Sequence, residues 1–96
     1  MNSVELIGVV RKIENDESNN QYLVLEVSRP YLDNEQSFIY DYFKVYKWGI
    51  VSFGTFVNIN IGMQIALRGH LINNQNETII ISETIKVLFY PQKSII

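Results

Sequence analysis

The even positions from 38 to 48 read Phe38, Tyr40, Tyr42, Lys44, Tyr46 and Trp48, and the odd positions Ile39, Asp41, Phe43, Val45 and Lys47. Side chains alternate sides along a strand. This spacing therefore sets a row of aromatic rings around one ammonium on one face and ordinary core residues in the middle of the other. Tyr and Trp present a large flat surface at low rotamer cost, and lysine adds a point charge for an anion. Such a face stacks planar groups or packs against protein. Aromatic strand residues commonly serve core or cross-strand packing. Here Ile39, Phe43 and Val45 already supply the core, so five outward aromatics imply an interface. Phe38 and Tyr40 suit a subunit contact, and Tyr46 suits either use.

Other chemistry has little to work with. Without cysteine there is no thiol nucleophile, disulfide framework or Cys-based zinc site. The single histidine, His70, is read as a surface or hairpin residue rather than a ligand. Asp33 and Glu35 sit in a polar loop. Two carboxylates can serve acid–base work, but no nucleophile, metal cluster or phosphate-cradling loop accompanies them. Neither an enzyme nor a cofactor or metal is expected. Glu14, Asp16 and Glu17 read as a solvated loop. A pI near 5.2 argues against a polybasic nucleic-acid binder, but not against one that stacks bases with a few local cations. No apolar run approaches the ~18 residues of a membrane-spanning helix. The start, Met1-Asn2-Ser3-Val4-Glu5, has no basic, greasy leader. The expected address is the cytoplasm.

The elements that position the aromatic row follow from pattern. Ninety-six residues, 47% of them hydrophobic and 19% charged, make one globular domain. Fourteen isoleucines and one alanine favour sheet over helix. Five strands are expected, over residues 2–13, 21–29, 38–48, 63–72 and 78–90, with Pro30 stopping the second and Asn73–Asn76 turning between the last two. Val4, Leu6, Gly8 and Val10 share one face of the first strand, with Gly8 at a bend or close backbone approach. Ile79, Ile81, Ile85, Val87 and Phe89 share one face of the fifth. Ile50, Phe53, Val57 and Ile61 fall at helical spacing, which predicts a short helix within 49–61. Three strands, a helix and two strands is the order of the OB-fold, a five-stranded Greek-key barrel that binds oligonucleotides or oligosaccharides around strands two and three. The expected layout is an all-β OB-fold over 1–90 and a short tail over 91–96.

Asn2-Ser3-Val4-Glu5-Leu6-Ile7-Gly8, Phe43-Lys44-Val45-Tyr46-Lys47-Trp48-Gly49 and Gly62-Met63-Gln64-Ile65-Ala66-Leu67-Arg68-Gly69-His70-Leu71 recur in order and spacing. The chain thereby resembles the bacterial single-stranded DNA-binding protein family across roughly residues 2–90. The resemblance implies base contacts by Tyr31, Tyr42 and Trp48, and a phosphate contact by Lys44. It also implies a homotetramer, with a dimer open. The family's aromatic in the hairpin between the last two strands has no counterpart in Asn73–Asn76, and no acidic residue follows Glu83. Partner recruitment through the family's acidic C-terminal tip is therefore expected to be absent. The tail-less primosomal replication protein N group is a near relative by the same resemblance.

The expected function is sequence-independent binding of single-stranded DNA, with RNA open, protecting strands in replication, recombination or repair near the nucleoid. Tyr31, Tyr42, Tyr46 and Trp48 would stack, Lys44 would meet phosphate, and Arg29 and Arg68, with Lys47, would lie at the rim. Few cations predict a shallow salt dependence. The alternative is a primosome-like assembly module whose aromatic face contacts another protein. A third option is an oligosaccharide-binding barrel.

Overall fold

The computed structural model describes residues 1–49 and 53–91. Five strands are present: β1 (Val4–Asn15), β2 (Gln21–Leu32), β3 (Phe38–Lys47), β4 (Gln64–Asn74) and β5 (Glu77–Phe89). They close into a barrel in the order β1-β2-β3-β5-β4, with β4 returning to β1. All pairings are antiparallel except β3 with β5, a parallel seam of three residue pairs from Val45↔Ile80 to Lys47↔Ser82. This is an OB-fold.

β1 serves two neighbours. Its first half, Val4–Val9, pairs with β4, and its second half with β2. The two pairings overlap at Val9, and a bulge in the β2 ladder between Val10 and Lys12 supplies the bend that closure needs. The side chain of Asn2 extends the first pairing. Its Nδ2 donates to the Leu71 carbonyl at 3.1 Å and its Oδ1 accepts from the Leu71 amide at 2.7 Å, as a strand residue would. Gly8 and Gly69 are positions of close approach. A Cβ at Gly8 would overlap the Glu26 carbonyl oxygen, and one at Gly69 the Ile81 carbonyl oxygen.

The loops reuse one device. Asp16 Oδ1 accepts from the amides of Ser18 and Asn20 at 2.9 and 2.8 Å, and Asp33 Oδ1 from those of Glu35 and Ser37 at 2.8 and 2.9 Å. Each loop has one non-glycine residue at positive φ, Asn19 and Gln36. Asp16 and Asp33 are thus turn formers rather than solvating charges, since an aspartate side chain satisfies backbone donors two to four residues on. The β4–β5 turn is two residues, Gln75 and Asn76, both at positive φ, the geometry that matches the twist of flanking strands.

Three expectations are corrected. Pro30 does not stop β2, which continues to Leu32. The register slips between Ser28↔Tyr40 and Leu32↔Phe38, and Pro30 falls inside that irregularity, where its missing N–H costs no ladder bond. No helix occurs among the described residues between β3 and β4; positions 50–52 of the expected helix lie outside them. Gly54 donates to the Lys47 carbonyl at 3.0 Å in an antiparallel bridge, and Asn58 has φ 61°. The apolar spacing there serves a loop laid over the barrel. Phe56 and Ile59 pack on the main core and Phe53 on a second cluster, while Val57 and Ile61 are exposed. Finally, β5 does not keep one apolar face. The register shifts between Arg68↔Thr84 and Gly69↔Ser82, leaving Glu83 unpaired. Ile85 and Val87 therefore join Ile80 on the main core, while Ile79 and Ile81 belong to the second cluster. The expected tail residues 92–96 lie outside the described residues.

The main core is Val10, Leu23, Leu25, Val45, Met63, Ile65, Leu67 and Ile80. Gly69→Ala tests the tightest approach to this framework. Overpacking at a site with no room costs about 1–3 kcal/mol or more, so chemical denaturation should show a large loss. Gly54→Ala, whose Cβ would sit 3.3 Å from the Trp48 carbonyl oxygen, should lose much less.

Candidate functional site

The outer face of the β2–β3 sheet carries Tyr22, Val24 and Glu26 opposite Tyr46, Lys44 and Tyr42. Tyr42 is 60% exposed. Its hydroxyl donates to Glu26 Oε2 at 2.8 Å, and Arg11 Nη2 binds the other oxygen at 2.9 Å. These two donors, Arg11 first, hold the Glu26 carboxyl below its ordinary range. Lys44 Nζ lies 3.3 Å from Glu77 Oε2 and 4.6 Å from the centre of the Tyr22 ring, a cation–π contact. The Tyr22 hydroxyl donates to Glu14 Oε2 at 3.1 Å.

Tyr31 and Arg29 stand elsewhere on the hairpin. Asp41 alternates with Tyr40 and Tyr42, so it lies on the opposite side of β3. Arg29 grips it through Nε and Nη2, each at 2.9 Å, and its Nη1 donates to the Tyr31 hydroxyl at 3.4 Å. The guanidinium holds the Asp41 carboxyl below the usual carboxylate range. Tyr31 is 58% exposed. Trp48 follows β3 and is 59% exposed. Its amide donates to the Ser82 carbonyl at 3.0 Å, and its indole meets His70 edge-on at 5.7 Å between centroids. His70 Nδ1 lies 2.7 Å from Glu83 Oε1; a carboxylate only accepts, so Nδ1 donates. Lys47 lies on the other face of β3, near Gly54 and Phe56.

Tyr46 leaves the set of stacking residues. It is 2% exposed and packs with Ile79, Ile81, Tyr22, Phe53 and Ile72 in the second cluster. Its ring centroid is 4.4 Å from that of Phe53, and its hydroxyl donates to Asp16 Oδ2 at 2.7 Å. Alternation correctly puts it outward from the main core. What covers it is the β1–β2 turn and Phe53, distant in sequence. Burial and Asp16 together raise its phenol pKa well above the ordinary value. Arg68 is not brought to the site. It lies on the outer surface of β4, in register with Glu5 of β1 and Thr84 of β5.

Tyr42 and Lys44 therefore share one face, Tyr31 and Arg29 the far side of its hairpin, and Trp48 the exit of β3. Pattern reading misses Lys12, which the β1 bulge turns onto the same face, opposite Val24. Strict alternation from Val4 places Lys12 inward, and no local signal marks the bulge. It also misses Glu26, whose position opposite Tyr42 depends on register. Among the described residues no group of three or more His, Asp or Glu can hold a metal ion, and no helix is long and apolar enough to cross a membrane.

No protein-family model and no curated protein matches the chain. Solved structures do resemble it. A small single-stranded DNA-binding protein from Mycoplasma pneumoniae superposes with a TM-score of 0.63 at 18% identity, covering 99% of each chain. The PriB protein of Ralstonia solanacearum gives 0.63 at 9% identity over 91% of this chain and 97% of that one. The dimeric N-terminal domain of PriB from Thermoanaerobacter tencongensis gives 0.54 at 17% identity over 93% of this chain and 98% of that one. At these identities the likeness establishes the fold.

The contrast between Tyr46 and Tyr42 is measurable. Tyr46→Ala should cost about 3–5 kcal/mol, as for other large aromatic truncations in a core. Tyr42→Ala should melt near the wild-type temperature. A pH effect follows from Asp16. The Asn20 amide, then the Tyr46 hydroxyl, hold its carboxyl below the ordinary 3.8. A depressed folded pKa stabilises the fold above the unfolded value, and that contribution disappears as pH falls through the folded one. Acid titration by circular dichroism should therefore show a shallower decline below about pH 4 for Asp16→Asn than for the wild type. Parallel curves would remove Asp16 as a determinant.

Proposed function

We propose that this chain binds single-stranded DNA without sequence preference, coating exposed strands in replication, recombination or repair. The observation that carries this is the exposed Tyr42 ring on the outer β2–β3 face, held upright by Glu26 beside Lys44. Trp48 adds an exposed ring at the exit of β3, and Tyr31 another on the far side of the hairpin. Every base has a π-face, so such rings hold a strand whatever its sequence, at about 1–3 kcal/mol per stacked base. Lys44, Arg29 and Lys12 supply charge for phosphates. The names of the structural neighbours support the same choice: one is a single-stranded DNA-binding protein, and others are PriB proteins. The function involves no covalent step and no cofactor. The chain acts in the cytoplasm at the nucleoid and associates with copies of itself, as a dimer or a tetramer; a dimeric neighbour supports self-association.

One observation favours the second use of the surface, contact with protein. Phe38 and Tyr40 are both exposed, with ring centroids 6.5 Å apart. They suit a subunit or partner contact adjoining the DNA surface.

Trp48 is the only tryptophan, so its fluorescence reports on one proposed stacking position. Titration with oligo(dT) should quench it saturably, and duplex should not. Tyr42→Ala and Trp48→Ala should each weaken binding roughly 5- to 150-fold, the equivalent of one stacked base, with oligomeric state unchanged on gel filtration. Loss of assembly with DNA affinity intact would establish the protein-contact role instead.

A further inference from the structure

Three basic side chains stand beside the aromatic rings, and each is engaged by a carboxylate. Arg11 holds Glu26 at 2.9 Å next to Tyr42, Arg29 holds Asp41 at 2.9 Å next to Tyr31, and Lys44 lies 3.3 Å from Glu77 over Tyr22. Lys12 makes no ion pair among the described residues. The Tyr42 and Tyr31 rings are open while most of the charge around them is already answered.

We infer that Glu26, Asp41 and Glu77 set the preference for single strands over duplex, an inference that rests on the DNA-binding function proposed above. A duplex keeps its bases stacked inside and offers this surface chiefly phosphates, about one charge per 1.7 Å of helix axis. Its binding depends on cations able to displace counterions. A cation held by a carboxylate is a poor one, because the phosphate must displace the carboxylate and then lie beside it. A single strand meets the same obstacle but gains stacking on each ring. The carboxylates therefore remove most of the duplex's binding energy and a smaller share of the single strand's. Omitting the cations would also weaken duplex binding, but it would release the rings: the Tyr31 hydroxyl is anchored on Arg29, and that of Tyr42 on the Glu26 that Arg11 holds. The pairs thus fix the rings and mask the charge together.

The test is a comparison of oligo(dT) and duplex affinities for the wild type and for Glu26→Gln/Asp41→Asn/Glu77→Gln. The three amides change the net charge from −2 to +1. Duplex affinity at low salt should rise at least tenfold and oligo(dT) affinity by less, so their ratio falls. The slope of log affinity against log salt for oligo(dT) should steepen by up to about 2, three freed cations at roughly 0.7 each. An unchanged ratio in a folded variant would overturn the inference and leave the DNA-binding function standing. Failure of the wild type to bind oligo(dT) would overturn both. Should the triple variant not fold, Glu77→Gln alone should shift the ratio the same way by less. Glu5→Gln, an equal change of net charge beside Arg68 on β4, should leave the ratio unchanged. Equal shifts for these two single variants would assign the effect to net charge and overturn the inference.

Discussion

The barrel closes at the parallel seam between β3 and β5, and that seam is three residue pairs long. Parallel pairing is slightly weaker per residue than antiparallel, so so short a seam needs burial on both sides. On its inner side Val45 and Ile80 join the main core. On its outer side Tyr46, Ile79 and Ile81 form a second cluster, and Ser82 Oγ donates across the seam to the Tyr46 carbonyl at 3.1 Å. Four consecutive β5 residues, Ile79 to Ser82, are buried as a result. The β1–β2 turn is fastened over this cluster through the Tyr46–Asp16 hydrogen bond.

The functional surface inherits its shape from that cover. The β1–β2 turn and Phe53 claim Tyr46, so the aromatic row on β3 is interrupted there. Tyr42 remains on one side of the interruption and Trp48 on the other, beside His70 and the β5 bulge. A strand crossing this face meets separate stacking positions rather than a continuous ribbon of rings. Among the exposed rings, Tyr42 and Tyr31 are tied through their hydroxyls into ion pairs. Surface pairs of this kind contribute little to stability; here they orient side chains whose use is contact with a ligand.

Much of the fold is legible in residue pattern. Alternation at Leu23, Leu25 and Val45 identifies the core, Gly8 marks a close approach, and the polar interruptions mark the turns. The expected helix fails for a physical reason. Helical spacing at Phe53, Val57 and Ile61 is also what a loop shows when some of its apolar residues reach a core, and Gly54 and Asn58 hold the backbone in non-helical conformations. The face of β5 fails because the Glu83 bulge reverses alternation midway, and Lys12 is missed because a bulge does the same in β1. Bulges arise from pairing with a neighbouring strand, and a single strand's composition carries no mark of them.

Composition and alternation alone determine that this chain is built of β-strands, one of them aromatic and flanked by few cations, since β-branched residues at period two favour half-buried strands; closure into a barrel is decided by strand pairing, the β3–β5 seam above all. Which aromatics stay in solvent is decided by tertiary structure. Tyr42 and Tyr46 have the same residue type, strand and face parity, and the distant β1–β2 turn at Asp16, with Phe53, makes one a core residue. The pairing of Arg11, Arg29 and Lys44 with Glu26, Asp41 and Glu77 is likewise settled by strand register and side-chain reach between segments 12 to 33 residues apart, because charge interactions depend on distance in space, which barrel closure creates.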